Sequence, residues 1–138
     1  MLWGWDRMNC ERAKILMASA GGTLSCGVDK ETNSLKPQYG LEDILRTLPD
    51  VYRIADMDLL QILSLDSSNM QPHHWVEIAK EIYPYITTHE GVVITHGTDT
   101  LVYTAAALSF FIQNLPVPVV LTGSQMPFWE IGSDAVSY

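Results

Sequence analysis

The chain has 138 residues, 47% of them hydrophobic, which suits one domain with a core. Sixteen acidic and eight scattered basic residues give a formal net charge of −8, which argues against nucleic acid as a partner because phosphate binding needs clustered lysine and arginine. No apolar run approaches the ~20 residues of a membrane span, and no signal-peptide core opens the chain. We therefore expect a cytoplasmic protein with no membrane partner.

The N-terminal part of the sequence predicts a strand followed by a long loop. Residues 1–12 show no periodicity and are expected to form an irregular leader. Residues 13–19 are apolar and predict a buried strand that ends at the small residues 20–22. Residues 24–40 are rich in glycine, asparagine, serine and proline without an apolar period, which predicts a long loop.

Three segments predict helices because apolar residues recur on one face. The first contains Leu41 and stops at Pro49, and the second starts at Pro72, a residue suited to a first helical turn. The third runs over residues 101–115. The predicted buried faces consist of Leu41, Ile44, Leu45 and Leu48, of Trp75, Ile78, Ala79 and Ile82, and of Leu101, Ala105, Leu108 and Ile112.

Further strands are predicted between these helices. One is expected within residues 52–65, and residues 91–95 and 117–121 are apolar runs that end at polar clusters. Alternating strands and helices predict an α/β domain with an open, mainly parallel, Rossmann-like sheet and flanking helices. Ligands of such folds lie outside the carboxyl ends of the strands, so we expect the polar clusters there to form one site.

Threonines follow two of the predicted strands, at Gly21-Gly22-Thr23 and in the stretch His96-Gly97-Thr98-Asp99-Thr100. A threonine hydroxyl is a weak nucleophile that needs a nearby base, and Gly22 allows a substrate to approach the main chain. Asp99 can accept a hydrogen bond from an ammonium group, and Ser67 and Ser68 can donate to a carboxylate. The set suits a small amino acid that carries a side-chain carbonyl.

Each of these features also has an ordinary structural explanation. Gly-Gly-Thr is compatible with a plain turn, and Thr98 and Asp99 are both good helix caps. Residues 66–69 are compatible with a turn and cap. We expect His96 to be a hydrogen-bonded core histidine, and spacing alone marks Tyr39 as a plain loop aromatic.

The other histidines and the cysteines predict no metal site. His73 and His74 are adjacent on a helix and cannot face one ligand, so a solvated pair is favoured. His89 is a loop residue without an evident partner. Cys10 and Cys26 lack metal-ligand spacing.

Four segments carry a resemblance to a known family. They are residues 13–23, Asp66-Ser67-Ser68-Asn69-Met70, residues 96–100, and Val119-Val120-Leu121-Thr122-Gly123-Ser124-Gln125-Met126-Pro127. Together they resemble the bacterial-type L-asparaginase family, most closely its cytoplasmic branch. The resemblance implies hydrolysis of L-asparagine, and often of some L-glutamine, to the acid and ammonia, without a cofactor. The implied partner is this small-molecule substrate, and full-length relatives are expected to form homo-oligomers.

The resemblance also implies catalytic roles. Thr23 matches the nucleophile that attacks the carboxamide to give an acyl-enzyme, and Tyr39, in a flap over the site, matches the tyrosine that assists it. Thr98 and Asp99 match the second threonine and the aspartate that binds the substrate ammonium group. The backbone N–H at Thr98 matches the oxyanion contact of the family.

Substrate binding is implied at the same positions and at a serine pair. Ser67 matches the serine that holds the α-carboxylate, and Ser68 lies where a neighbouring polar contact is found. Gly22, Thr98 and Asp99 complete the substrate-binding set.

The sequence also departs from the family pattern. Family members continue into a second α/β domain. They also carry a lysine at a position beyond residue 138 that pairs with the second threonine and the aspartate, whereas no lysine follows Lys80 here. Ala20 replaces the first threonine of the usual Thr-Gly-Gly-Thr motif. We therefore expect residues 13–138 to form an incomplete N-terminal domain without the C-terminal one, and the chain alone to be poorly active.

Two other functions stay open at this point. A non-catalytic remnant or amino-acid-binding module would keep Ser67 and Asp99 but lack the proton relay. The asparaginase-like subunit that transamidates misacylated glutamyl-tRNA has similar motifs, including residues 103–110. It carries an extra N-terminal domain, however, and the acidic balance here suits tRNA poorly.

Overall fold

Four parallel strands form the centre of the fold in the computed structural model, which describes residues 12–29 and 31–136. The strands and helices, in chain order, are β1 (Ala13–Gly21), β2 (Cys26–Val28), β3 (Leu35–Pro37), α1 (Leu41–Arg46), α2 (Val51–Ile54), β4 (Ala55–Leu65), α3 (Pro72–Ile82), β5 (Gly91–Thr95), α4 (Leu101–Phe111) and β6 (Val119–Thr122). Helices flank the open sheet, so the predicted α/β architecture is confirmed.

The order of strands in the sheet is β4-β1-β5-β6, and every neighbouring pair is parallel. In this register Ala13 of β1 lies opposite Ala55 of β4, and Ile15 lies opposite Gly91 of β5. The chain leaves β1 first to one side and then returns past it to the other. The carboxyl ends of β1, β4 and β5 therefore meet at a topological switch point, where α/β sheets bind ligands.

The central strand β1 is buried on both faces of the sheet. Successive strand side chains point to opposite faces, and the core is divided accordingly. Leu16 belongs to a cluster with Ile78 of α3 and Leu108 of α4, whereas Met17 belongs to a cluster with Ile44 of α1. Burial on both faces explains why the sequence of β1 is a continuous apolar run.

The predicted elements are present with small shifts of their ends. The strand expected within residues 52–65 is β4, and α2 forms one short turn before it. The predicted third helix ends at Phe111 instead of Leu115, because the backbone becomes extended at Ile112 and left-handed at Asn114, with φ 56°.

The long loop predicted for residues 24–40 is wrong in part, because β2 and β3 pair within it as an antiparallel hairpin. Cys26 lies opposite Pro37 at the open end of this hairpin. At its turn, the Asp29 carboxylate accepts hydrogen bonds from two following backbone N–H groups at 2.9 and 3.0 Å. Three-residue strands are too short to show a periodic pattern, so the sequence did not reveal them.

His89 lies in the loop before β5, as predicted, but it is buried and hydrogen-bonded, so the expectation that it lacks a partner is wrong. Its Nε2 lies 3.0 Å from the Asp58 carboxylate and its Nδ1 lies 2.9 Å from the Thr88 hydroxyl. Asp58 also pairs with Lys14 at 3.0 Å. Hydrogen bonds from Lys14 and then His89 hold the pKa of Asp58 below its ordinary value.

The predicted irregular leader, residues 1–12, lies outside the described residues except for Arg12. The Arg12 guanidinium lies 2.8 Å from the Asp56 carboxylate and donates to the Tyr52 carbonyl at 2.6 Å. These contacts tie the start of β1 to the start of β4. Within the described ranges, no helix has the length and apolar character needed to cross a membrane.

Candidate functional site

Loops at the carboxyl ends of β1, β4 and β5 enclose a cleft of about 180 Å³. Its lining is Gly22, Thr23, Cys26, Leu65, Asp66, Ser67, Gly97, Thr98 and Asp99. One group of lining residues follows β1, the second follows β4 and the third follows β5. The fold thus brings together three groups of residues that are at least thirty positions apart in sequence, as the sheet-edge argument predicted.

The turn after β1 requires glycine at two successive positions. Gly21 and Gly22 have φ of 93° and 96°, conformations that other L-residues rarely adopt. A Cβ atom on Gly22 would lie 2.6 Å from the Gly97 Cα. The double glycine therefore lets the loops after β1 and β5 touch directly beside Thr23.

The carbonyl of Gly22 fixes the turn that presents Thr23. It accepts hydrogen bonds from the Ser25 backbone N–H at 3.2 Å, the Ser25 hydroxyl at 3.0 Å and the Cys26 thiol at 3.4 Å. The Thr23 hydroxyl itself has no hydrogen-bond partner among the described residues. It is available to a ligand in the cleft.

The loop after β4 is bonded to the loop after β5. The Thr100 hydroxyl donates to the Ser67 carbonyl at 2.8 Å, and a Cβ on Gly97 would lie 2.5 Å from the Ser67 Cβ. Ser67 is buried and lines the cleft. Both contacts come from the loop after β5 and hold Ser67 against that loop.

Asp66 and Ser68 form the turn-and-cap structure that was the ordinary alternative for this segment. The Asp66 carboxylate accepts from both the backbone N–H and the hydroxyl of Ser68, each at 2.9 Å. The Ser68 side chain thus faces Asp66 and lies outside the cleft lining, while Asp66 lies within it. Sequence reasoning did not single out Asp66, although its position directly after a strand is the expected place for a ligand-facing group.

Thr98 and Asp99 are not helix caps. The N-cap residue of α4 is Thr100, whose side chain makes no capping hydrogen bond. Within the described chain, neither the Thr98 nor the Asp99 side chain has a hydrogen-bond or ion-pair partner. Asp99 presents a carboxylate at the cleft just before α4, where the partial positive charge of the helix terminus favours an anion.

His96 is a buried core histidine, as expected. Its Nδ1 lies 2.7 Å from the Gly97 carbonyl and its Nε2 lies 2.9 Å from the Thr104 hydroxyl, which also accepts from Trp75 Nε1 at 3.0 Å. Burial lowers the pKa of His96, and the hydrogen bond to Gly97 raises it by less. The imidazole is therefore neutral near pH 7 and is not a solvent-exposed base.

Tyr39 does not line the cleft. Its ring packs edge-on against Phe128 with centroids 5.2 Å apart, within the cluster that covers the α1 face of the sheet. Cys26, by contrast, does line the cleft, although nothing in its sequence context indicated this. Burial, and then the nearby Asp66 carboxylate, raise the pKa of the Cys26 thiol, so the thiol is protonated near pH 7.

The charge of the cleft favours a cationic group on its ligand. Its lining contains the carboxylates of Asp66 and Asp99 and, among the described residues, no lysine, arginine or histidine side chain. The same part of the chain contains no group of three metal-ligating side chains that could hold an ion. An ammonium group is the natural counterpart of this lining.

Residues 14–137 match the family model for the N-terminal domain of asparaginase. The chain belongs to the asparaginase family. The match includes all three loops that form the cleft, so the family assignment and the site rest on the same segments.

This asparaginase-family chain is similar to both hydrolases and amidotransferase subunits. It shares 43% identity over 126 residues with a glutamyl-tRNA(Gln) amidotransferase subunit of Methanopyrus kandleri, covering 89% of this chain and 28% of that protein. The thermostable L-asparaginase from Thermococcus kodakarensis superposes with a TM-score of 0.78 at 43% identity, and the match covers 88% of this chain and 37% of that protein. The probable cytoplasmic L-asparaginase from Campylobacter jejuni superposes with a TM-score of 0.77 at 32% identity, and the match covers 90% of this chain and 36% of that protein. The chain thus spans little more than a third, or less, of each relative.

Proposed function

We propose that this chain supplies the nucleophile and the amino-acid-binding side of a site that hydrolyses L-asparagine to L-aspartate and ammonia. The observation that supports the proposal is the meeting of Thr23, Ser67, Thr98 and Asp99 at one cleft. The family match and the similarity to L-asparaginases support the same reaction class.

The proposed binding mode follows from the charges of the substrate. The α-ammonium group binds the Asp99 carboxylate, in a cleft whose other charged side chain among the described residues, Asp66, is also acidic. The α-carboxylate accepts a hydrogen bond from the Ser67 hydroxyl. The side-chain amide then lies between Thr23 and Thr98, and Gly22 allows it to approach the main chain closely.

In the proposed reaction the Thr23 oxygen attacks the carboxamide carbon. The tetrahedral oxyanion is stabilised by the backbone N–H of Thr98, ammonia leaves with the transferred proton, and water cleaves the resulting ester to release L-aspartate. The described lining holds no basic side chain to accept the Thr23 proton. We therefore expect slow turnover by the 138-residue chain. Assistance by Tyr39 would require its ring to leave Phe128.

Two measurements on the purified chain test the proposal together. Ammonia release from L-asparagine is compared between wild type and Thr23→Ala, and L-aspartate binding is measured by calorimetry on wild type, Thr23→Ala and Asp99→Ala. We expect slow release that disappears in Thr23→Ala, and binding that survives in Thr23→Ala but is lost in Asp99→Ala. Binding without any Thr23-dependent release would instead identify an amino-acid-binding module. No binding by the wild type would refute the site itself.

A second candidate is the tRNA-linked amidotransferase role, favoured by the 43% identity to the Methanopyrus kandleri protein. Its glutaminase step would use the same cleft with a substrate one methylene longer. The net charge of −8 weighs against direct tRNA binding by this chain. A filter-binding assay that finds tight, salt-sensitive association with tRNA would favour this role over the first.

We also propose a cytoplasmic location, which the similarity to the Campylobacter jejuni protein supports. Assembly into a homo-oligomer stays a prediction from the family resemblance. Sedimentation of the purified chain at several concentrations tests the predicted oligomer directly, since self-association would raise the weight-average mass with concentration.

A further inference from the structure

We infer that Trp75, Thr104 and His96 form a one-way hydrogen-bond chain that fixes the Gly97–Thr98 peptide and so aims the Thr98 backbone N–H into the cleft. Only the role of that N–H as a hydrogen-bond donor to the oxyanion rests on the proposed function. The three residues lie outside the cleft lining and act through Gly97. They are therefore positioning residues and not catalytic ones.

The direction of each hydrogen bond follows from the two ends of the chain. At one end the Gly97 carbonyl can only accept, so the His96 Nδ1, 2.7 Å away, must carry a hydrogen. His96 is fully buried and has no carboxylate partner among the described residues, so it is neutral and its Nε2 is an acceptor.

The other end of the series agrees with this polarity. Trp75 Nε1 can only donate, and it donates to the Thr104 oxygen at 3.0 Å. The single hydroxyl hydrogen of Thr104 is then free to point to His96 Nε2 at 2.9 Å. With a neutral imidazole, this arrangement satisfies every polar atom in the series, and it holds the imidazole in one tautomer and one orientation.

The geometry of the Gly97–Thr98 peptide links the orientation of the His96 ring to the direction of the Thr98 N–H. The Gly97 carbonyl and the Thr98 N–H belong to one trans peptide, whose C=O and N–H bonds point in opposite directions. Because the carbonyl is held toward the buried His96, the N–H is directed away from it. The Thr98 N–H has no hydrogen-bond partner among the described residues, and Thr98 lines the cleft. The donor is thus preorganised before any ligand binds.

The test uses NMR on the ¹⁵N-labelled chain and needs no turnover. Correlations between the ring nitrogens and carbon-bound protons report the His96 tautomer, and the backbone spectrum reports the Thr98 amide. Thr104→Val removes the hydroxyl at nearly constant volume, and Thr104→Ser keeps it. Leu45, in the opposite core cluster, provides a control amide.

We expect the wild type and Thr104→Ser to show a protonated Nδ1 and an accepting Nε2 at about pH 7. In Thr104→Val the Nε2 signal and the Thr98 amide should both shift, while the Leu45 amide stays in place. A protonated Nε2 in the wild type would overturn the inference, and this result does not depend on any variant folding. An unmoved Thr98 amide in folded Thr104→Val would also overturn it.

The outcome is separable from that of the proposed function. If the tautomer and the Thr98 response are as expected but L-asparagine is not hydrolysed, the hydrogen-bond chain stands and the reaction is wrong. If hydrolysis is observed, Thr104→Val should lower kcat more than it raises KM, with recovery in Thr104→Ser. Loss confined to KM would contradict an oxyanion role.

Discussion

Replacement of Gly22 by alanine tests the way in which the three loops form the cleft. Gly22 has φ 96° and ψ 176°, a region of backbone space used almost only by glycine. A methyl group there would lie 2.6 Å from the Gly97 Cα and 2.7 Å from the His96 carbonyl carbon. Both are backbone atoms, so neither contact is relieved by a side-chain rotation.

The expected cost has two parts. Backbone strain in this region contributes roughly 1–3 kcal/mol, and overpacking against fixed atoms adds roughly 1–3 kcal/mol. We expect Gly22→Ala to lower the free energy of unfolding by about 2–6 kcal/mol. A typical domain has only about 5–15 kcal/mol, so the variant is expected to be marginally folded.

Urea denaturation followed by circular dichroism measures this loss. Gly132→Ala is the matched control, because Gly132 also has a positive φ of 83°, but beyond its two chain neighbours no atom of the described residues lies within 4 Å of the added methyl group. Gly132→Ala should lose only the part of the stability that comes from backbone strain. Equal losses of stability in the two variants would contradict the predicted steric clash. A Gly22→Ala variant within about 0.5 kcal/mol of wild type, the range of ordinary surface substitutions, would contradict it as well.

Three further predictions concern the core, the cleft and the surface. Because burial lowers the pKa of His96 from 6.5, the free energy of unfolding should decline as the pH falls below 6.5. Urea titrations at several pH values should show a smaller decline in His96→Gln. Ser67→Ala should weaken L-aspartate binding by roughly 1.5–3 kcal/mol in calorimetry, the value of a hydrogen bond to a charged group. Phe110 is 75% exposed, so Phe110→Lys should change urea stability by less than about 0.5 kcal/mol; a larger loss would mean that this face is covered.

The sequence predicted the elements of the fold better than their arrangement. The apolar runs of β1 and β5 mark buried parallel strands because both faces are covered. The order β4-β1-β5-β6 depends on which strands pair, and periodicity carries no such information. The β2–β3 hairpin depends on the local hydrogen bonds of Asp29, which a pattern of apolar residues does not register.

The candidate site shows the same division. Thr23, Ser67 and Thr98 were predicted to share one cleft because each follows a strand, and the sheet brings such positions together. Thr104 was missed, although a polar residue three positions after Leu101 and four before Leu108 stands out on a predicted buried face. The packing of Tyr39 against Phe128 joins segments far apart in sequence and could not be predicted from either.

The most direct test of the central claim, that three strand ends form one amino-acid site, is an NMR titration of the ¹⁵N-labelled chain with L-aspartate. We expect saturable amide shifts confined to three segments, residues 22–26, 65–68 and 96–100. The Asp99→Asn chain should show no such shifts at the same concentrations. Shifts limited to one segment, or centred elsewhere on the domain, would contradict it.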